Sequence, residues 1–205
     1  MKKAILILGV NGSGKSSFYK KYLRESFEKE NILYINADEI KQQLVKDGIE
    51  GNRAKIKSGH LAVEKMGKCI KEDKNFAFET TFTDSGATGS IAIVKELKKQ
   101  NYEVEGYFIH TKDVNINISR VLNRATTNTG HFVPANIIKE RYDLCVNNVK
   151  EYSNLFDKFH YIDNTNLDFK LSNEKILETQ NNEQKKPFIL KEKEKDKSKN
   201  QDIER

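Results

Sequence analysis

Tryptophan does not occur among the 205 residues, and proline and cysteine occur only twice each. Cys69 and Cys145 lie far apart with no Cys-x-x-Cys pair, which excludes a disulfide scaffold and a zinc ribbon and fits a reducing, cytoplasmic setting. No apolar run approaches the roughly 18 residues that a membrane span needs. The opening Met1-Lys2-Lys3 and the apolar stretch after it imitate a signal peptide. Asn11-Gly12-Ser13-Gly14-Lys15 cuts that stretch short, and no small-x-small cleavage site follows. His60, His110, His131 and His160 show no metal-ligand spacing, and there is no Gly-x-Ser-x-Gly elbow. One-sided charge is also lacking: 36 Lys and Arg face 30 Asp and Glu, a net +6 mixed in sign along the chain. Neither a nucleic acid nor a membrane is therefore expected as a partner.

What is present divides in two. Residues 1–169 alternate short apolar runs with longer amphipathic ones, the pattern of β-α units on a parallel sheet. Strands are expected at 3–8, 32–36, 75–79, 103–109 and 159–163. Helices are expected at 14–29, 38–45, 53–72, 85–100, 114–124 and 134–152. In the third of these, Ile56, Val63 and Ile70 recur on one stripe at multiples of seven. Right-handed crossovers would place helices on both faces of the sheet. The expectation is one three-layer αβα domain on a mostly parallel, about five-stranded sheet. From 170 to 205 the chain turns polar and alternately charged, as in Lys191-Glu192-Lys193-Glu194-Lys195. That composition reads as a solvated tail, or a loose helix with internal ion pairs. Phe188-Ile189-Leu190 is its one candidate docking segment.

The strongest chemical signal is Gly9-Val10-Asn11-Gly12-Ser13-Gly14-Lys15-Ser16, a complete G-x-x-x-x-G-K-[ST] loop. An apolar strand feeds it and a helix leaves it, which is the context in which backbone N–H groups and a helix N-terminus can cradle phosphate. Gly9, Asn11, Gly12, Ser13, Gly14, Lys15, Ser16 and Ser17 are the candidate nucleotide-binding residues. Lys15 would bridge the terminal phosphates, and the Ser16 hydroxyl would ligate Mg²⁺.

Asp38 follows the second strand, where ligands bind in open parallel sheets. It suits a base that takes a proton from a phosphoryl acceptor, and it equally suits a helix cap. Glu79 ends the third strand, with Thr80 and Thr81 after it. These residues could face a Mg²⁺-bound water or an acceptor, or form an ordinary turn. Arg120 and Arg124, four apart, project from one helix face just before Gly130-His131, as in a closing lid. A solvated arginine face is the alternative. Arg141, one helix later, is a third candidate.

Taken in order, the phosphate loop, Asn36-Ala37-Asp38-Glu39-Ile40, Phe78-Glu79-Thr80-Thr81-Phe82, Arg120 with Arg124, Gly130-His131-Phe132-Val133-Pro134 and Arg141-Tyr142 resemble the zeta toxin family, particularly its short bacterial members. The resemblance covers about residues 3–165. It implies a P-loop kinase that uses ATP and Mg²⁺ to phosphorylate a sugar hydroxyl of UDP-N-acetylglucosamine and is held by an antitoxin. By the same resemblance, Lys15 and Ser16 bind phosphate and Mg²⁺, and Asp38 is the base. Glu79, Thr80 and Thr81 would meet the acceptor, while Arg120 and Arg124 would approach the terminal phosphate. The turn here reads Thr129-Gly130-His131, where short members favour Gly-Gly-His. From the residues alone, a kinase for a nucleoside, an antibiotic or a polynucleotide end, or a non-catalytic NTP-binding switch, stays open.

Overall fold

β1 (Lys2–Leu8) organises the domain, because its residues from Ala4 onward are buried on both faces and offer no polar side to solvent. The computed structural model describes residues 2–83, 86, 89–127 and 132–172. The other strands are β2 (Leu33–Ile35), β3 (Phe76–Thr80), β4 (Tyr102–His110), β5 (Lys158–Asp163) and β6 (Lys170–Ser172). They form one sheet in the order β2-β3-β1-β4-β5-β6. β1 to β5 pair in parallel, and β6 runs antiparallel to β5.

On one face, α1 (Lys15–Phe18) runs through a π-helical turn (Tyr19–Leu23) into α2 (Arg24–Lys29). Phe18, Leu23 and Phe27 from this segment seal Ile5, Ile7, Ile109 and Ile162. The other face takes Met66 and Cys69 from α4 (Gly51–Lys71), Val94 and Leu97 from α5 (Ser90–Lys99), and Cys145 and Val149 from α7 (Ala135–Tyr152). They pack on Leu6, Leu8, Phe76, Phe78 and Phe108. Truncating a buried phenylalanine of this kind to alanine costs about 3–5 kcal/mol. α3 (Ala37–Lys46) leads from β2 towards α4. α6 (Val114–Thr126) and α7 share a smaller core of Val121, Val133 and Ile138.

The three-layer α/β architecture agrees with the sequence, and the five expected strands appear with ends shifted by one residue. The structure adds three details. The sheet has six strands, because Lys170–Ser172 pairs with Tyr161, Ile162 and Asp163 beyond the expected start of the tail. Within the Ile56, Val63 and Ile70 stripe, Ile56 and Val63 face solvent, 64% and 57% exposed, and Ile70 packs against the core, while the buried side of α4 is lined by Ala54, Ser58, Ala62, Met66 and Cys69. The fourth expected helix starts at Ser90. Gly130-His131, the residues just after Thr83 and everything from 173 lie outside the described residues, and Phe188-Ile189-Leu190 with them.

Candidate active site

The carboxyl ends of β1, β3 and β4 converge where β1 gives way to the glycine-rich loop. Gly12 and Gly14 take positive φ of 83° and 103°, a region that side chains with a Cβ rarely enter. Space closes the same positions. A Cβ on Gly12 would lie 2.4 Å from the Asn117 carbonyl oxygen, and one on Gly14 would lie 2.3 Å from Asn164 Nδ2. Gly9 N donates to the Thr80 carbonyl at 3.2 Å, which ties the loop's entrance to β3.

Two asparagines hold the loop from behind. Asn117 Nδ2, in the first turns of α6, donates to the Asn11 carbonyl at 3.2 Å, and Thr111 Oγ1 donates to Asn117 Oδ1. Asn164 Nδ2, after β5, donates to the Ser13 carbonyl at 2.7 Å. Both asparagines are buried, where an amide without partners would be costly. Sequence reasoning passed over them because an isolated Asn in a polar stretch has no pattern to mark it.

Lys15 Nζ donates to the carbonyls of Gly9 and Val10 at 2.7 and 3.2 Å. Burial pulls its ammonium below the usual lysine value, opposed first by the Glu79 carboxylate and, further down the order, by Asp38. Those two carboxylates thus share the electrostatic field of the phosphate-loop lysine. Glu79 Oε2 accepts from Ser16 Oγ at 3.1 Å. Hydroxyl and carboxylate oxygens side by side suit a hard cation such as Mg²⁺. Among the described residues, no cluster of three His, Cys, Asp or Glu could hold a metal by itself.

Asp38 stands exposed in the first turn of α3. The capping task that Asp38 could have had belongs to Asn36, whose Oδ1 accepts from the N–H groups of Asp38 and Glu39 at 2.8 and 3.3 Å. The Asp38 carboxylate therefore takes no part in capping α3. Thr80 Oγ1 meets Ser90 Oγ at the start of α5 and accepts from Phe82 N at 2.9 Å, while Thr81 Oγ1 pairs with Thr83 Oγ1 at 3.0 Å. The two threonines thus shape the turn after β3, where Phe82 is buried at a φ of 55°. Ser17 is exposed, and Ser13 is fully buried.

The arginines separate. Arg120 Nη2 donates to the carbonyls of Asn164 and Thr165 at 2.9 and 3.0 Å, so this side chain is clamped to the β5–β6 turn rather than extended into solvent. Its Nη1 is buried with no hydrogen-bond partner among the described residues. Arg124 is exposed, and its charge contributes to lowering the Lys15 pKa. Arg141, from α7, reaches the loop itself, with Nη1 2.8 Å from Asn11 Oδ1.

The zeta toxin family model matches residues 1–175. The chain belongs to the zeta toxin family. Solved structures share the fold of this family member at low identity. The PezAT chromosomal toxin-antitoxin system of Streptococcus pneumoniae contains a chain 18% identical with a TM-score of 0.61, over 84% of this chain and 72% of that one. A chain of the AvrRxo1-ORF1:-ORF2 complex with ATP is 13% identical with a TM-score of 0.67, over 87% of this chain and 63% of its own length. This zeta-family chain thus spans less than two thirds of that relative. A putative kinase from Chloroflexus aurantiacus is 10% identical with a TM-score of 0.58, over 89% of this chain and 96% of its own. No curated protein matches in sequence. Among the described residues, no helix is long and apolar enough to cross a membrane.

Proposed function

We propose that this zeta-family chain is an ATP- and Mg²⁺-dependent kinase that phosphorylates a sugar hydroxyl, with UDP-N-acetylglucosamine as the acceptor, and that it acts as the toxin of a toxin-antitoxin pair. One observation carries the catalytic part: Glu79, near the end of β3, accepts from Ser16 Oγ at 3.1 Å beside the phosphate-loop lysine, and Asp38 in the first turn of α3 adds to the negative charge that this lysine feels. A nucleotide-binding switch needs the lysine and the serine. It has no use for a second carboxylate in the field of that lysine.

In this reading the loop's N–H groups and Lys15 would hold the β- and γ-phosphates, and Ser16 with Glu79 would hold Mg²⁺. The metal, when bound, neutralises charge on the transferring phosphoryl group. Asp38 takes the proton of the acceptor hydroxyl as its oxygen bonds to the γ-phosphorus. The bond from that phosphorus to the β–γ bridging oxygen breaks, and ADP leaves. Arg124 and Arg141 supply positive charge around the transferred oxygens. Toxin-antitoxin complexes among the fold neighbours support an antitoxin as the protein partner. No pairing with nucleic acid or membrane enters this reading, and the cytoplasm is its setting.

ADP release measured on a panel of acceptors tests it. The panel contains UDP-N-acetylglucosamine, free N-acetylglucosamine, nucleosides, an aminoglycoside and a 5′-hydroxyl oligonucleotide. Transfer to UDP-N-acetylglucosamine that is lost in Lys15→Ala supports the reading. Turnover with another acceptor corrects the substrate, and no turnover with any of them removes the kinase assignment.

A further inference from the structure

Tyr34 carries no role so far, yet its hydroxyl lies between the two halves of the site. Its ring stacks on that of Tyr19, with centroids 3.5 Å apart and planes at 11°, which fixes where the hydroxyl points. That hydroxyl donates to Glu79 Oε1 and accepts from Asn36 Nδ2 at 3.0 Å. The direction of this chain is forced. Asn36 Oδ1 is occupied by the N–H groups of Asp38 and Glu39, so the amide nitrogen is the end that meets Tyr34. An amide nitrogen only donates, so the tyrosine oxygen accepts and its single proton goes to Glu79. Burial, reinforced by the Glu79 charge, keeps that phenol protonated well above its ordinary range. The second oxygen of Glu79 faces Ser16 Oγ.

We propose that Tyr34 and Asn36 are positioning residues, which lock Glu79 against Ser16 and tie it to the first turn of α3, from which Asp38 projects. Gripped at both oxygens, the Glu79 carboxylate cannot rotate away from the place where Ser16 and a metal ion would meet it. The same asparagine holds the N–H of Asp38, so one side chain sets the spacing between the metal side and the base side of the cleft. Tyr34 and Asn36 touch no reacting atom and act through Glu79 and α3. The catalytic consequence rests on the kinase reading, whereas the grip on Glu79 does not.

Tyr34→Phe keeps the ring stack and removes only the hydroxyl. Asn36→Ser keeps an N-cap oxygen but has no nitrogen to reach Tyr34. These variants, Glu79→Gln and the double variant Tyr34→Phe/Glu79→Gln are compared in the full chain. The first readout is the affinity of fluorescent ADP with Mg²⁺ and with EDTA. The second is the melting temperature, and the third is kcat and KM on any acceptor that the panel identifies. The Mg²⁺-dependent gain in ADP affinity should fall about tenfold or more in Tyr34→Phe and Asn36→Ser, the usual effect of losing a residue that orients a metal ligand. Affinity in EDTA and the melting temperature should stay near wild type. kcat should fall while the acceptor KM holds, and the double variant should match Glu79→Gln alone. An unchanged Mg²⁺ gain in Tyr34→Phe, additive losses in the double variant, or a wild-type ADP affinity indifferent to Mg²⁺ overturns the proposal. If no acceptor is phosphorylated, the kinase reading fails by itself, and the ADP measurements still decide on Tyr34.

Discussion

Replacing Asn164 by alanine should damage the nucleotide site from behind without touching any atom that meets nucleotide. Asn164 is 1% exposed, and its Nδ2 gives the Ser13 carbonyl a hydrogen bond of 2.7 Å. Alanine leaves that carbonyl without this donor in a buried place, a loss of about 1–3 kcal/mol. Part of it is returned, because Asn164 Oδ1 is itself buried without a partner among the described residues and disappears with the substitution. A net destabilisation of about 1–2 kcal/mol corresponds to a fall in Tm of about 2–8 °C in a domain of this size. The released loop must also be ordered at the moment of binding, so ADP affinity should fall about three- to tenfold, or about 0.7–1.4 kcal/mol. Thermal melting with and without ADP and a direct titration measure both quantities. Asn164→Asp, which sets an acceptor against the Ser13 carbonyl, should be worse on both. A Tm and an ADP affinity both unchanged in Asn164→Ala would refute the claim that this side chain shapes the loop.

Asp38→Asn should lower kcat by about 10²–10⁴ while ADP affinity stays constant, since the amide keeps the shape but accepts no proton. A collapse of ADP affinity with turnover retained would give Asp38 a metal or structural task instead. The three arginines should part company. Arg141→Ala should lower kcat more than it raises the KM for ATP, and Arg124→Ala should act on kcat with Tm within the range of surface substitutions. Arg120→Ala should lower Tm as well, because it abandons two carbonyls of the β5–β6 turn; equal Tm in all three would contradict the observed clamp. Burial pushes the Cys145 thiol up to about 12 from an ordinary 9.0, so iodoacetamide at pH 8 should modify it about 10³-fold more slowly than an ordinary thiol. Only the unfolded thiol ionises above 9.0, so the associated stability is lost as pH rises from there towards 12, and Cys145→Ala should flatten that limb of the Tm profile.

The strands of the sheet were readable because parallel strands buried on both faces leave near-continuous apolar runs, as in Ala4 to Leu8 and Phe76 to Phe78. β6 was not readable. Lys170-Leu171-Ser172 is short, polar and half solvated, and only its pairing with β5 makes it a strand. The seven-residue spacing on α4 marked a face without telling which way it points: Ile56 and Val63 face solvent, Ile70 packs against the core, and Ala54, Ser58, Ala62, Met66 and Cys69 line the buried side. The phosphate loop declared itself because its function demands glycines at fixed spacing. Its supports Asn117, Asn164 and Tyr34 did not, since tertiary contacts alone bring them to the site, whereas Arg141 already stood as a candidate from its place after the lid segment. Asp38 was left between base and cap, and the structure gives the capping to Asn36.

The ties on the loop have a consequence for the protein's birth. Asn11 and Ser13 are braced by Asn117, Arg141 and Asn164, partners 106, 130 and 151 residues away. At about 5–20 residues per second, a ribosome needs roughly 8–30 s to travel that longest gap. Through that interval the emerging chain carries the phosphate-loop sequence but not its cradle. A nascent fragment arrested before residue 164 should therefore retain no ADP, whereas one extended past β6 and clear of the exit tunnel should. Nucleotide binding, and with it the kinase activity proposed above, then begins only after the segment that carries Asn164 has emerged, however early the phosphate loop is made.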